Sequence, residues 1–143
     1  MTSAPIADKV PKRKEMTMTT MWTEDELDRI GRAGELRVAG RKRDGSLRSL
    51  VIIWSVRVGD AIYIRSVNGP DASWFRGTQI RGEGRIVAGG VTKDVKFSRI
   101  DDNNAEIDSA YRAKYGRGSA VSAVTSDTAS STTLRVDPVD SPS

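Results

Sequence analysis

The sequence predicts an α+β domain whose mostly antiparallel strands close, or nearly close, into a barrel, with three short helices. Three observations lead to this fold. Turn signals recur between short apolar runs, one run is apolar on both of its faces, and helical patterns are confined to three brief segments. The 143 residues fit one domain of ordinary size.

The ordered domain is expected to begin with a helix at Trp22. Thr23 and Glu26 are spaced as in a capping box, and Trp22 can pack onto Leu27 as a hydrophobic staple. Two glycines should end this helix near Ala33.

Strands should follow in hairpins. Residues 35–42 alternate between apolar and basic side chains, and Asp44-Gly45 is a strong hairpin signal. Residues 47–58 are apolar on both faces through Ile53, which predicts one central, doubly buried strand. Residues 61–67 should pair back as the third strand.

The second half should add two helices, a hairpin and a last strand. The predicted helices cover residues 72–80 and 102–115, and the hairpin strands cover 84–88 and 91–100. The Ser/Ala/Thr-rich residues 119–131 are interpreted as a long, flexible surface loop, and 132–136 as an edge strand. The domain should thus span 22–137, between a disordered N-terminal tail at 1–21 and a C-terminal tail at 138–143.

Composition excludes several kinds of chemistry. Histidine and cysteine are both absent, which rules out disulfides, Cys/His zinc sites, a cysteine nucleophile and a Ser-His-Asp triad. Any redox chemistry would therefore depend on a bound cofactor. Residues 37–99 carry 13 basic and 5 acidic side chains, so an anionic partner for this block is one interpretation and a generally arginine-rich surface is the other.

Nothing in the sequence indicates a membrane protein. The longest apolar run, at residues 50–54, is far shorter than the ~20 residues that a spanning helix needs. The N-terminal segment has a basic cluster but no signal-peptide pattern, so a cytoplasmic location is expected.

Two motifs carry the functional argument. The hairpin at residues 40–48 groups Arg41, Lys42, Arg43 and Arg48, which suits a phosphate, although a solvated hairpin tip would look the same. Residues 64–76 end a strand at Ser66, which could donate to a flat ring, and continue into a helix with paired aromatics, which could instead plug the barrel end. No metal site is predicted, because the acidic run at 101–104 lacks the rest of a calcium loop.

The order of these motifs resembles the flavin- and deazaflavin-binding split-barrel family, related to pyridoxamine phosphate oxidase and the deazaflavin-dependent nitroreductases. The shared order is a GRxxxGxxR hairpin, two apolar strands, a Ser-Gly turn and a helix with Trp. Within this group the chain is most similar to a small uncharacterised bacterial branch, on its WTEDEL start, VIIW…RVGD strands, WFR helix and AYRAKYG helix. The resemblance covers about residues 22–137 and implies a predominantly antiparallel split β-barrel with three short helices.

The resemblance also implies functional residues. Those that would hold the cofactor phosphate are Arg41, Lys42 and Arg48. Those beside the ring would be Arg65, Ser66, Val67 and Trp74. Tyr111 and Tyr115, one helical turn apart, would face the substrate, although core packing explains the same spacing.

The leading hypothesis is an oxidoreductase that uses FMN or F420 and passes a hydride to a small organic acceptor, with no catalytic side chain required. The alternative is a non-enzymatic basic barrel that binds another anionic partner, such as nucleic acid. Too few aromatic residues are left over from the core to favour nucleic acid. The sequence leaves open whether two copies form a homodimer.

Overall fold

The computed structural model describes residues 20–139, which contain seven strands, five α-helices and a 3₁₀ turn. The strands are β1 (Leu36–Gly40), β2 (Val51–Ile53), β3 (Ser55–Val58), β4 (Ala61–Ile64), β5 (Glu83–Ala88), β6 (Val91–Arg99) and β7 (Leu134–Pro138). The helices are α1 (Glu24–Arg32), α2 (Ser73–Arg81), α3 (Asn104–Tyr115), α4 (Ser119–Val124) and α5 (Asp127–Ser130), and the 3₁₀ turn is Gly69–Asp71.

The strands form one antiparallel sheet in the order β2-β1-β5-β6-β7-β4-β3. The two edge strands, β2 and β3, are consecutive in the chain and are separated only by Trp54. Because a single residue joins opposite edges of the sheet, the sheet must curl until these edges come together. The predicted α+β, nearly closed antiparallel barrel is confirmed.

Two apolar clusters hold the fold together. The larger fills the barrel with residues from five strands, α1 and α2, among them Leu36, Ile62, Phe75 and Ile86. The smaller packs α3 and α4 onto β3 and β4, through residues such as Val56 and Tyr111. Tight burial of apolar side chains on both faces of the sheet is what stabilises this arrangement.

The predicted start of the first helix is confirmed. The Glu26 amide donates to the Thr23 hydroxyl at 3.1 Å, and the Thr23 amide donates to the Glu26 carboxylate at 2.9 Å. Trp22 is buried in the same cluster as Leu27, and its indole N–H donates to the Val136 carbonyl at 3.0 Å. Trp22 thereby attaches the N-terminal end of α1 to the last strand.

The single strand predicted over residues 47–58 is wrong. The chain leaves the hairpin after Leu47, re-enters the sheet as β2, bends at Trp54 and continues as β3 at the opposite edge. Val51 and Ile52 are exposed rather than doubly buried. An apolar run identifies a strand, but it does not distinguish a central strand from one that turns the corner of a barrel.

The prediction for the C-terminal part is also corrected. Residues 119–131 form α4 and α5 instead of a surface loop, with Val121, Val124 and Ala129 buried. The last strand, β7, lies between β6 and β4 and is therefore interior, not an edge. Residues 20–139 contain five α-helices where three were expected, and the three predicted helices begin within two residues of their expected positions. The tails expected at 1–21 and 138–143 fall largely outside the described residues.

No helix within residues 20–139 combines the length and apolar character required to cross a membrane.

Candidate functional site

The basic hairpin is a tight turn held by its own backbone and by Asp44. The Lys42 amide donates to the Ser46 carbonyl at 2.8 Å, and the Gly45 amide donates to the Lys42 carbonyl at 2.9 Å. The Asp44 carboxylate accepts from the amide and hydroxyl of Ser46 at 2.9 and 2.6 Å. These bonds hold the pKa of Asp44 below its usual value. Gly45 adopts φ +90°, which favours glycine.

Helix α2 lies against this hairpin because two glycines allow the backbones to touch. A Cβ on Gly40 would stand 2.4 Å from the Gly77 carbonyl oxygen, so nothing larger than glycine fits there. A Cβ on Gly77 would stand 2.6 Å from Nε of Arg48. The Arg48 side chain therefore lies along α2, pressed against Gly77.

A continuous groove runs from the hairpin across the start of α2. Its cationic end, of about 520 Å³, is lined by Lys42, Leu47, Arg48, Ser49, Val51, Asn68, Ala72, Ser73 and Trp74. Its apolar end, of about 340 Å³, is lined by Val51, Ile52, Ile53, Trp54, Arg65, Val67, Asn68, Trp74, Ala120 and Val124. Three residues line both ends, which makes them one groove: Val51, Asn68 and Trp74.

The cationic end combines side-chain and backbone donors. Neither Lys42 nor Arg48 makes a side-chain hydrogen bond or ion pair with another residue of the described range 20–139. Helix α2 begins there, and its N-cap, Ala72, provides no side-chain cap for the first backbone N–H groups. Two cations and the uncapped amino end of a helix favour an anionic group at this position.

Helix α2 places its two adjacent aromatic residues, Trp74 and Phe75, in different environments. Phe75 is buried in the barrel, whereas Trp74 is only partly buried and lines both ends of the groove. The rings lie edge to face, with centroids 6.0 Å apart. Phe75 thus fixes the helix to the core and leaves one face of Trp74 toward the groove.

The structure brings together only part of the predicted site. The groove is lined by five of the predicted residues: Lys42, Arg48, Arg65, Val67 and Trp74. Arg41 points elsewhere: it donates to the Gly45 carbonyl at 2.8 Å and pairs with Asp94, at 3.4 Å.

Arg65 and Ser66 are occupied by the protein itself. Arg65 is fully buried. All five N–H groups of its guanidinium donate hydrogen bonds, to Thr133, Asp108, the Val124 carbonyl and Asn104. The buried Ser66 hydroxyl donates to the Gly69 carbonyl at 2.7 Å. Neither side chain has a donor left for a ring, which differs from what the resemblance implies.

The two tyrosines also pack inside the fold. Tyr111 is fully buried, and burial raises the pKa of its hydroxyl. Tyr115 stacks on Trp54 and hydrogen-bonds the backbone of Ser55, and burial raises its pKa as well. Neither ring lines the groove.

Sequence reasoning missed several groove residues. Asn68 joins the two ends, and Trp54 and Ile52 line the apolar end. Exposed large apolar side chains are the signal that could have identified this face, but exposure becomes visible only once the bend at Trp54 is known.

The sequence of this chain matches the model of one known protein family. Residues 26–136 match the model of a family described as uncharacterised proteins conserved in bacteria, DUF2255. The chain belongs to this family. The predicted resemblance to an uncharacterised bacterial branch of the split-barrel group is thereby confirmed. A comparison with curated protein sequences gives no match.

Solved structures similar to this DUF2255 chain share its fold at low sequence identity. The heme storage protein HutZ from Vibrio cholerae is 9% identical with a TM-score of 0.57, over 84% of this chain and 90% of that one. The conserved hypothetical protein Rv2991 from Mycobacterium tuberculosis is 10% identical with a TM-score of 0.53, over 90% and 84%. An F420 reductase is 10% identical with a TM-score of 0.52, over 84% and 97%. These likenesses establish the split-barrel fold alone.

Proposed function

We propose that the groove binds a flavin or deazaflavin cofactor, FMN or F420, and that the protein is an oxidoreductase acting on a small organic acceptor. The observation that carries the proposal is the continuity of the cationic and apolar ends across Trp74. A phosphorylated cofactor with a flat ring needs these two environments side by side.

The residues present fit such a cofactor. Lys42, Arg48 and the first N–H groups of α2 would hold the phosphate by charge-assisted hydrogen bonds. Val67 and Trp74 would contact the ring, over the apolar floor formed by β2. When bound, the cofactor supplies hydride-transfer chemistry. The chain's own residues bind and orient it and exclude water.

The side chains available to bind iron argue against heme as the ligand, although one structural neighbour is a heme storage protein. Heme iron in proteins is held mainly by His, Cys, Met or Tyr. The 143 residues contain no His and no Cys. Among residues 20–139, no Tyr or Met lines either end of the groove. A redox cofactor held by its phosphate and its ring fits these residues better.

The exposed apolar lining of the groove next to the edge strand β2 is our reason for also proposing a homodimer, in which the partner would cover this end of the groove. Ile52 and Val67 are 53% and 45% exposed, and the edge strand β2 is paired on one side only within residues 20–139. A second copy that covers this face would remove the apolar surface from water. Sedimentation at micromolar concentration should show a dimer; a monomer at all concentrations contradicts this part of the proposal.

A titration tests the cofactor proposal. FMN, F420, hemin and a single-stranded oligonucleotide are added separately to the protein, and fluorescence or absorbance reports binding. We expect micromolar binding of FMN or F420 with weak salt dependence, because one phosphate is neutralised. Tight binding of the oligonucleotide that falls steeply with salt, without binding of FMN or F420, would replace this proposal with the nucleic-acid alternative.

A further inference from the structure

A second cavity lies between α1, β3 and α3. It has a volume of about 350 Å³ and shares no lining residue with the groove. Its apolar wall includes Leu27, Val56 and Ala110, and its polar groups include Arg57 and Lys114. The volume lies within the range of small-molecule sites.

Within residues 20–139, one hydrogen bond holds the Lys114 side chain at this cavity. Its ammonium donates to the Ser55 carbonyl at 2.7 Å and lies 5.1 Å from the centre of the Tyr115 ring. The side chain is about half buried, and this burial lowers the pKa of Lys114 to about 8. A much larger fraction of its amine is therefore uncharged, and nucleophilic, near neutral pH than for an ordinary lysine.

The cavity is lined by three basic residues, Arg32, Arg57 and Lys114, and by the acidic Asp28, and this excess of positive charge favours a negative ligand. From α1, Arg32 lines the cavity and pairs with Asp28 at 2.9 Å. From β3, Arg57 pairs with Glu24 through Nη2, and its Nη1 has no hydrogen-bond partner within residues 20–139. On α3 itself, Glu106 lines only the adjoining cavity. An arginine with unused donors beside a reactive amine suits a carboxylate or phosphate.

We propose that this cavity is a second ligand site, for a small aldehyde or keto compound with an anionic group, which Lys114 binds as a Schiff base. The uncharged amine adds to the carbonyl carbon, the carbonyl oxygen leaves as water, and a C=N bond replaces the C=O bond. The step needs no oxidant or reductant. Arg57 binds the anionic group of this compound, and the apolar wall of the cavity contacts its remaining atoms.

Trapping with a hydride donor tests the site in the intact protein. Glyoxylate, an aldehyde with a carboxylate, is added with cyanoborohydride at pH 7, and peptide mass spectrometry follows each lysine. The control residue is Lys96, an exposed lysine on β6. We expect Lys114 to be labelled at least about fivefold faster than Lys96, since the larger uncharged fraction outweighs its lower basicity. Equal or slower labelling of Lys114 overturns the proposal.

Formaldehyde, which has no anionic group, separates ligand recognition from simple reactivity. The preference for Lys114 over Lys96 should be at least about twofold larger with glyoxylate than with formaldehyde, and R57Q should remove this difference. Oxalate should slow labelling of Lys114 by formaldehyde and leave Lys96 unchanged, which tests recognition without a variant. Identical preferences for both aldehydes, or no protection by oxalate, would overturn the anion site.

Discussion

Trp54 stacks on Tyr115, with ring centroids 4.0 Å apart and ring planes within 6° of parallel. Trp54 is the residue at which the chain passes from one edge of the sheet to the other, and it also lines the apolar end of the groove. Tyr115 ends α3, and its hydroxyl donates to the Gly34 carbonyl at 3.0 Å. The stack therefore connects the closure of the barrel, the last turn of α3 and the floor of the groove.

This connection predicts a graded effect of changes at Tyr115. Y115F keeps the stack and loses the hydroxyl bonds, so it should lower the free energy of unfolding by about 1 kcal/mol. Y115A also removes the ring from Trp54 and should cost about 3 kcal/mol. Urea denaturation measures both. Equal losses for the two variants would mean that the stack contributes nothing.

Among the hairpin cations, Arg48 should matter most for binding. R48A should weaken the binding of FMN or F420 by about 1.5–3 kcal/mol, the scale of a hydrogen bond to a charged group. R41A should have a much smaller effect, because Arg41 is engaged with Gly45 and Asp94. R76A, an exposed arginine on α2 outside the groove lining, is the matched control. Affinity titrations that rank Arg41 above Arg48 would contradict this assignment.

Alanine substitutions at the two contacting glycines, Gly40 and Gly77, should have different effects. G40A places a methyl group 2.4 Å from a backbone oxygen, so it should destabilise the protein by roughly 2–4 kcal/mol. G77A meets the flexible end of Arg48 instead, so it should weaken cofactor binding with a smaller loss of stability. G34A, where a Cβ meets nothing within 4 Å, should be neutral or slightly stabilising. Thermal melts and titrations of the three variants provide the comparison; equal melting temperatures for G40A and G34A would contradict the close contact.

Features set by neighbouring residues were predictable from the sequence. The capping box of Thr23 and Glu26 and the turn at Asp44-Gly45 depend on residues a few positions apart, and both form as expected. Lys42 and Arg48 could likewise be assigned to one hairpin, and both line the groove.

Features that depend on closure of the barrel were not predictable. The bend at Trp54 follows from how seven strands fit together, and no local signal marks it. Helices α4 and α5 have a Ser/Ala/Thr composition with modest helical propensity, and they form because Val121, Val124 and Ala129 are buried against the rest of the domain.

Arg65 is the clearest example of a residue whose position in a motif misleads. At the end of a strand it looks available to a ligand, but the partners of its guanidinium come from α3, from α4 and from the residue before β7. These partners are 39 to 68 positions away in the sequence. Only the tertiary structure shows that Arg65 joins three segments.

The buried pair of Arg65 and Asp108 should be strongly coupled in stability. R65M leaves the Asp108 carboxylate and the Asn104 and Val124 acceptors without their donor, which should cost about 3–5 kcal/mol. Adding D108L removes the unpaired charge, so the double variant should recover part of this loss. R135M, at a half-exposed ion pair with Asp137, should change stability by less than about 1 kcal/mol. A double-mutant cycle by urea denaturation at pH 7 measures the coupling. If the two single losses simply add, Arg65 and Asp108 do not act as a pair, and the loss in R65M must come from the other bonds of Arg65, to Thr133, Val124 and Asn104.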